Sequence, residues 1–238
     1  MEYIKDLINV YKKAGKDTLN IITKNPLIIF LPLLYSMGYG IIQIMSFRLG
    51  FGFSRFWGVI VGLIEAMLLS SYFTQMNDGI NYNRLSLKLN SFQAGFFMYL
   101  WNIYFMKFVF YLASLFLGGV LNIGYVALAS FVLFNGAGEA IYIRNVQRED
   151  TFIYPLNYLK DNWHIWIPHV ALYILALQRI RMGVSVNPLS MYLSAHGLYF
   201  NDHTIILLVM GLYFTFRGVL FKNTYNSTIR KRKYMGWN

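Results

Sequence analysis

Residues 102–119 read NIYFMKFVFYLASLFLGG, an aromatic and aliphatic run interrupted by one lysine, Lys107. About 17 or more apolar residues suffice to cross about 30 Å of hydrocarbon as a helix. Backbone groups in hydrocarbon must be satisfied internally, so such a segment is helical or part of a closed barrel. The run does not alternate, which excludes a barrel strand. The rest of the chain follows suit: aliphatic and aromatic residues make up 57% of its 238 residues and charged residues 13%, against about 25% charged in a soluble domain. These features predict an all-α fold, a polytopic membrane helix bundle.

Six transmembrane helices are expected, at 26–45, 56–76, 94–117, 120–143, 163–178 and 204–221, the third and fourth forming a tight hairpin through GGV. One side collects Lys5, Lys12, Lys13, Lys16, Lys24, Arg84, Lys88, Arg144, Arg148, Lys160, Arg217, Lys222, Arg230, Lys231, Arg232 and Lys233; the other holds Arg48, Arg55, Arg179 and Arg181. Cytoplasmic loops retain the positive excess, so sixteen against four places both termini in the cytoplasm of a multi-pass cell-membrane protein. The same asymmetry accounts for most of the net charge of +11 and argues against nucleic acid as a partner. With no cysteine there is no disulfide framework, CxxC motif or thiolate metal site. MEYIKDLINVYKK, with mixed charges and no apolar core, does not read as a removable signal peptide.

The chain divides into an amphipathic interfacial helix (1–24), a six-helix membrane domain (25–222) and a basic cytoplasmic tail (223–238). Within 3–22, Ile4, Leu7, Ile8, Tyr11, Ala14 and Ile21 recur at helical spacing while the lysines fall elsewhere. Such a helix lies in the interface, its lysines drawn to anionic headgroups of the lipid bilayer. It serves either as an anchor or as a docking helix for a cytoplasmic partner. KNPLIIFLP (24–32) parallels KDNWHIWIP (160–168), and SFQAGFFMYLWN (91–102) parallels TFIYPLNYLKDN (151–162), suggesting three repeated helical hairpins. Repeat-built membrane folds carry sites at repeat interfaces.

A basic amphipathic approach helix, six spans and PLNYLKDNW before the fifth together resemble a bacterial family: the six-helix membrane domain attached to some glycerophosphodiester phosphodiesterases. The resemblance covers most of the chain and implies a fold in a bacterial membrane. It implies no reaction, because the soluble phosphodiesterase domain has no counterpart in these residues.

A charge at a helix centre costs at least about 2.5–3.5 kcal/mol. Lys107 shares its face with Tyr104, Tyr111, Ser114 and Gly118, a polar stripe expected to face protein. Glu65 lies in the preceding span, beside Gly58 and Gly62, a GxxxG pair that permits close helix approach. Counted from the cytoplasmic ends, the two charges match in depth within roughly 3 Å, so Lys107 is expected to face Glu65. The pair either locks two helices or forms a polar mid-membrane site or relay. In FNGAGEA (134–140), Asn135 and Glu139 are i,i+4 neighbours on one helical face. Glu139 either reaches headgroups or Arg144, or lines a vestibule below Lys107. His169 is either a hydrogen-bonded core residue or a titrating one; His164 lies nearby, and His196 and His203 belong to the outer segment, so no metal site forms. Pro32 and Pro168 are candidate kinks, and segment 179–203 should lie on the membrane or fold over the bundle.

No HExxH, GxSxG or P-loop is present, so neither an enzyme nor a resident cofactor is expected. Three functions stay open: a small permease or membrane subunit of a larger transporter, with a partner membrane or ATPase subunit; a scaffold recruiting partners through the N-terminal helix and basic tail; and a lipid-directed intramembrane enzyme.

Overall fold

Apolar runs this long satisfy their backbones only by coiling, and the computed structural model is helical accordingly. It describes residues 2–48, 55–85, 94–118, 121–179, 185–193 and 204–236, among which there is no strand. The helices are α1 (Glu2–Lys24), α2 (Leu31–Arg48), α3 (Arg55–Tyr82), α4 (Ala94–Gly118), α5 (Ile123–Phe134), α6 (Ala137–Arg144), α7 (Asp150–Arg179), α8 (Thr204–Thr224) and α9 (Ile229–Tyr234). Two short 3₁₀ turns, Pro26–Phe30 and Pro188–Tyr192, complete the described elements. Among the described residues four helical stretches are long and apolar enough to cross a membrane: Pro26–Arg48, Val59–Tyr82, Phe96–Leu117 and Ile123–Arg144. The α4 face bearing Trp101, Phe105, Phe108, Leu115 and Phe116 is exposed, a surface suited to lipid and unfavourable in water. α7 and α8 are helical where the fifth and sixth spans were expected.

The fourth span is not one continuous helix. Its α5 limb ends at Asn135, Gly136 opens α6, and every residue from Ala137 to Ile143 is buried. α6 packs on α3, α7 and α8, while α8 also touches α1, α2 and the Pro26–Phe30 turn. The core therefore sits at α3, α6 and α8. In α7 the non-helical residue is Asn162 (φ −128°, ψ 25°) rather than Pro168. Pro32 occupies the first turn of α2, where its missing N–H leaves no helical bond unmade. Neither proline is therefore the break anticipated from sequence.

α1 buries Asp6, Val10, Ala14, Thr18 and Ile21. Tyr11 docks on the bundle through a 2.8 Å hydrogen bond to the Ile165 carbonyl, whereas Ile4 and Ile8 stay exposed and Leu7 is half-buried. The apolar stripe is thus divided between the bundle and its surroundings. At Gly211 an added Cβ would overlap the Ile29 carbonyl, so α8 and the Pro26–Phe30 turn meet backbone to side-chain-free backbone. Because a carbonyl cannot swing aside like a side chain, Gly211→Ala should act as overpacking, costing about 1–3 kcal/mol. At roughly 2–4 °C per kcal/mol, thermal unfolding in detergent should show a midpoint several degrees lower; an unchanged midpoint would mean that the two elements separate freely. Gly62 behaves differently: nothing lies within 4 Å of where its Cβ would stand. Among the described residues no neighbour packs against the Cβ position of Gly62 as GxxxG anticipated, and the surroundings of Gly58 lie outside the described residues.

Candidate functional site

α3 and α4 bring Glu65 and Lys107 together: Lys107 Nζ donates to Glu65 Oε2 and lies 3.5 Å from the Gly62 carbonyl. Gln43 of α2 donates to Glu65 Oε1 at 2.9 Å and contacts Tyr39 Oη at 2.8 Å. The two charged side chains are only 16% and 20% exposed. Between them and Asn187, Ser190 and Leu193 lies a cavity of about 50 Å³, also bordered by Tyr39 and Leu69. That volume holds one or a few waters. Of the stripe beside Lys107, Tyr104 is half-buried against the core, but Tyr111 is 60% exposed. Tyr111 therefore belongs to the outer surface, contrary to expectation, because α4 turns that end of its stripe away from its neighbours.

A second arrangement lies deeper. Glu139 is fully buried and meets neither headgroups nor Arg144; Arg217 of α8 donates to its Oε2 at 2.8 Å. Tyr192 donates to Oε1 at 2.7 Å. Arg217 Nη2 also donates to the Asn135 carbonyl at 2.8 Å, and Nη1 to Met191 Sδ at 3.1 Å. Its guanidinium lies over the rings of Trp166, Tyr213 and Tyr192, at 5.3, 5.6 and 5.8 Å from their centroids, a favourable setting for a desolvated cation. Asn135 adds an Nδ2 contact to Met191 Sδ. Its Oδ1, like the hydroxyls of Tyr72 and Tyr142, has no hydrogen-bond partner among the described residues. Buried polar atoms left in this way are where water or a ligand atom is expected. His169 is buried against the edge of Trp166, and among the described residues neither ring nitrogen meets a side-chain partner.

The segment joining the two arrangements is 185–193. Asn187 caps its turn, accepting from Leu189 N at 3.0 Å, and Pro188 opens the turn. Leu189, Met191, Tyr192 and Leu193 are buried. Gly138 of α6 is glycine because a Cβ there would strike the Tyr192 ring. The described part of the outer segment thus inserts among the helices as a wedge; residues 180–184 and 194–203, with Arg181, His196 and His203, lie outside the described residues. Irregular backbone within a membrane bundle persists where it is enclosed by protein or borders water.

A third polar cluster ties the chain ends together. Asp6 of α1 accepts from Arg232 Nε at 2.9 Å (Oδ1) and Nη2 at 2.7 Å (Oδ2), and its Oδ2 is 2.8 Å from His164 Nε2. Arg232 Nη1 donates to Asn162 Oδ1 and the Ser227 carbonyl. Arg217 and Arg232, both counted from sequence as cytoplasmic charges, are instead fully buried. Removing these two from the sixteen assigned to one side from sequence leaves fourteen against four. The signal for Arg217 was legible, since it interrupts YFTFRGVLF much as Lys107 interrupts its own span. Arg232, inside RKRK, gave no such signal.

Among the described residues no group of His, Cys, Asp or Glu is disposed to hold a metal ion. No family model matches the chain, and comparison with curated proteins and with solved structures likewise returns no match.

Proposed function

We propose that this chain is a transport-related cell-membrane protein, a small permease or the membrane subunit of a larger transporter. In this reading α7 and α8 complete six spans, in three hairpins, with both termini cytoplasmic. The single observation that supports it is the wedge 185–193, a short non-α segment that ends in a 3₁₀ turn with Leu189, Met191, Tyr192 and Leu193 buried, bordered by the Glu65–Lys107 pair on one side and Glu139–Arg217 on the other. A lock between helices needs no such insertion, whereas a gated route needs a movable element beside its polar groups. The cavity of about 50 Å³ admits water or a small ion in this conformation, and a larger solute requires the wedge to withdraw.

The test is flux in proteoliposomes loaded with a pH dye and polarised with potassium and valinomycin, together with capture of partners by cross-linking in native membranes. A proton, alkali-cation or halide flux should be lost in the Glu65→Gln/Lys107→Met double variant while its thermal stability stays near that of the unsubstituted protein. Each single variant should be less stable than the double, since each leaves one charge without its partner. Neither flux nor an ATPase partner would sink the transport reading. The small cavity would then favour the scaffold.

A further inference from the structure

We propose that the pocket between α1, the C-terminal end of α8 and α9 is a binding site for a phosphate group, carried by a lipid headgroup or free in solution. The pocket has a volume of about 290 Å³. Three elements remote in the chain bring lysines to it: Lys13 from α1, Lys222 from α8 and Lys231 from α9. Bringing like charges around one hollow is unfavourable unless an anion compensates them.

Lys222 and Lys231 keep capacity for such an anion. Lys222 Nζ donates to the Ile80 carbonyl at 2.9 Å and Lys231 Nζ to the Asn226 carbonyl at 2.9 Å. An ammonium has three N–H donors, so each of these two retains others. Neither is ion-paired among the described residues. Asp17, the acid nearby, accepts from Asn223 Nδ2 at 2.9 Å and attracts Lys222 at longer range, so one carboxylate faces three ammonium groups and a net positive charge remains.

The wall is built, not a loose tail. Arg232, buried and held by Asp6, donates to the Ser227 carbonyl at 2.7 Å and to Ser227 Oγ at 3.1 Å. That clamp fixes the 225–228 connection, which carries Asn226 and Ser227 into the pocket. Several ammonium point charges around a compact hollow suit a phosphate, whose oxygens accept from many directions, better than they suit a planar carboxylate, which favours arginine's fork. Tyr225 and Met235, also in the lining, offer apolar contact to the glycerol part of a headgroup.

The experiment places the full chain in neutral phosphatidylcholine nanodiscs. One arm adds inorganic phosphate, the other replaces part of the lipid with phosphatidylglycerol; binding is read by thermal shift and by lipid retention in native mass spectrometry. Saturable stabilisation in the first arm marks a free phosphate, and retention in the second marks a headgroup. Lys222→Gln/Lys231→Gln should weaken binding about tenfold or more, the scale of one lost charge-assisted hydrogen bond. Lys5→Gln/Lys12→Gln, which removes the same charge from exposed α1 positions outside the pocket, should change it less than about twofold. Asn226→Asp, at an exposed position, should abolish binding without disturbing packing, which keeps the test valid if the lysine variant folds poorly. Equal losses in pocket and control variants, or no saturable binding of either probe, would overturn the proposal.

Discussion

Arg217→Met is expected to destabilise the protein by about 3–5 kcal/mol, because it leaves the Glu139 carboxylate buried without its cation. Arg217 and Glu139 are both solvent-inaccessible, and after the substitution Tyr192 is the one donor to the carboxylate left among the described residues. At roughly 2–4 °C per kcal/mol, the unfolding midpoint in detergent should fall by on the order of 10 °C. Glu139→Gln/Arg217→Met should recover much of that loss, since both charges of this pair are then gone and the amide can still accept from Tyr192. Arg144→Met is the control: Arg144 is exposed and lies over the Tyr225 ring at 5.8 Å rather than on Glu139, so its loss should stay within about 1 kcal/mol. A midpoint for Arg217→Met as high as that of Arg144→Met would refute the buried pair.

Asp6→Ala should have a comparable effect at the opposite end of the chain, again about 3–5 kcal/mol, because Arg232 stays buried without its carboxylate. It should also remove a pH dependence. Burial alone would raise the Asp6 carboxyl, but the hydrogen bonds from Arg232 and His164 outweigh it and hold the carboxyl below its ordinary value of 3.8. A carboxyl depressed in the folded state contributes stability that is fully present above the unfolded value of about 3.9 and is lost as pH falls through the lower folded value. The stability gap between the unsubstituted protein and Asp6→Ala should therefore be widest near pH 7 and narrow below about pH 4. Unfolding midpoints measured across that range check it, and a gap independent of pH would remove Asp6 from the latch. Because α1 and α9 meet through this carboxylate, limited proteolysis should also cut the C-terminal segment faster in Asp6→Ala.

Lys107 and Glu65 were visible in the sequence because a charge in an apolar run has few escapes, and matching depth on neighbouring spans left each the obvious partner. Glu139 was legible only as an acid near a span end, reaching headgroups or Arg144 or lining a vestibule, and its burial and partner were both missed: an arginine near a span end reads as an interfacial charge, and only packing shows that α8 turns it inward. Tyr111 failed for the reverse reason. It shares a helical face with Lys107, but a face is wide and only part of it meets α3. The wedge was illegible, since a segment of mixed polarity can lie on a membrane, cover a bundle or enter it with the same residues.

By itself the sequence determined the all-helical membrane character, four of the six long apolar helices expected from it, and the meeting of Glu65 with Lys107. These rest on solvation and on 1.5 Å of rise per residue, which act locally and need no knowledge of neighbours. The tertiary structure alone decided that Arg217 answers Glu139, that Asp6 joins Arg232 and His164, and that 185–193 enters the core. Those outcomes depend on which faces of distant helices come together, and a buried ion pair is specified by that geometry rather than by the spacing of its residues along the chain.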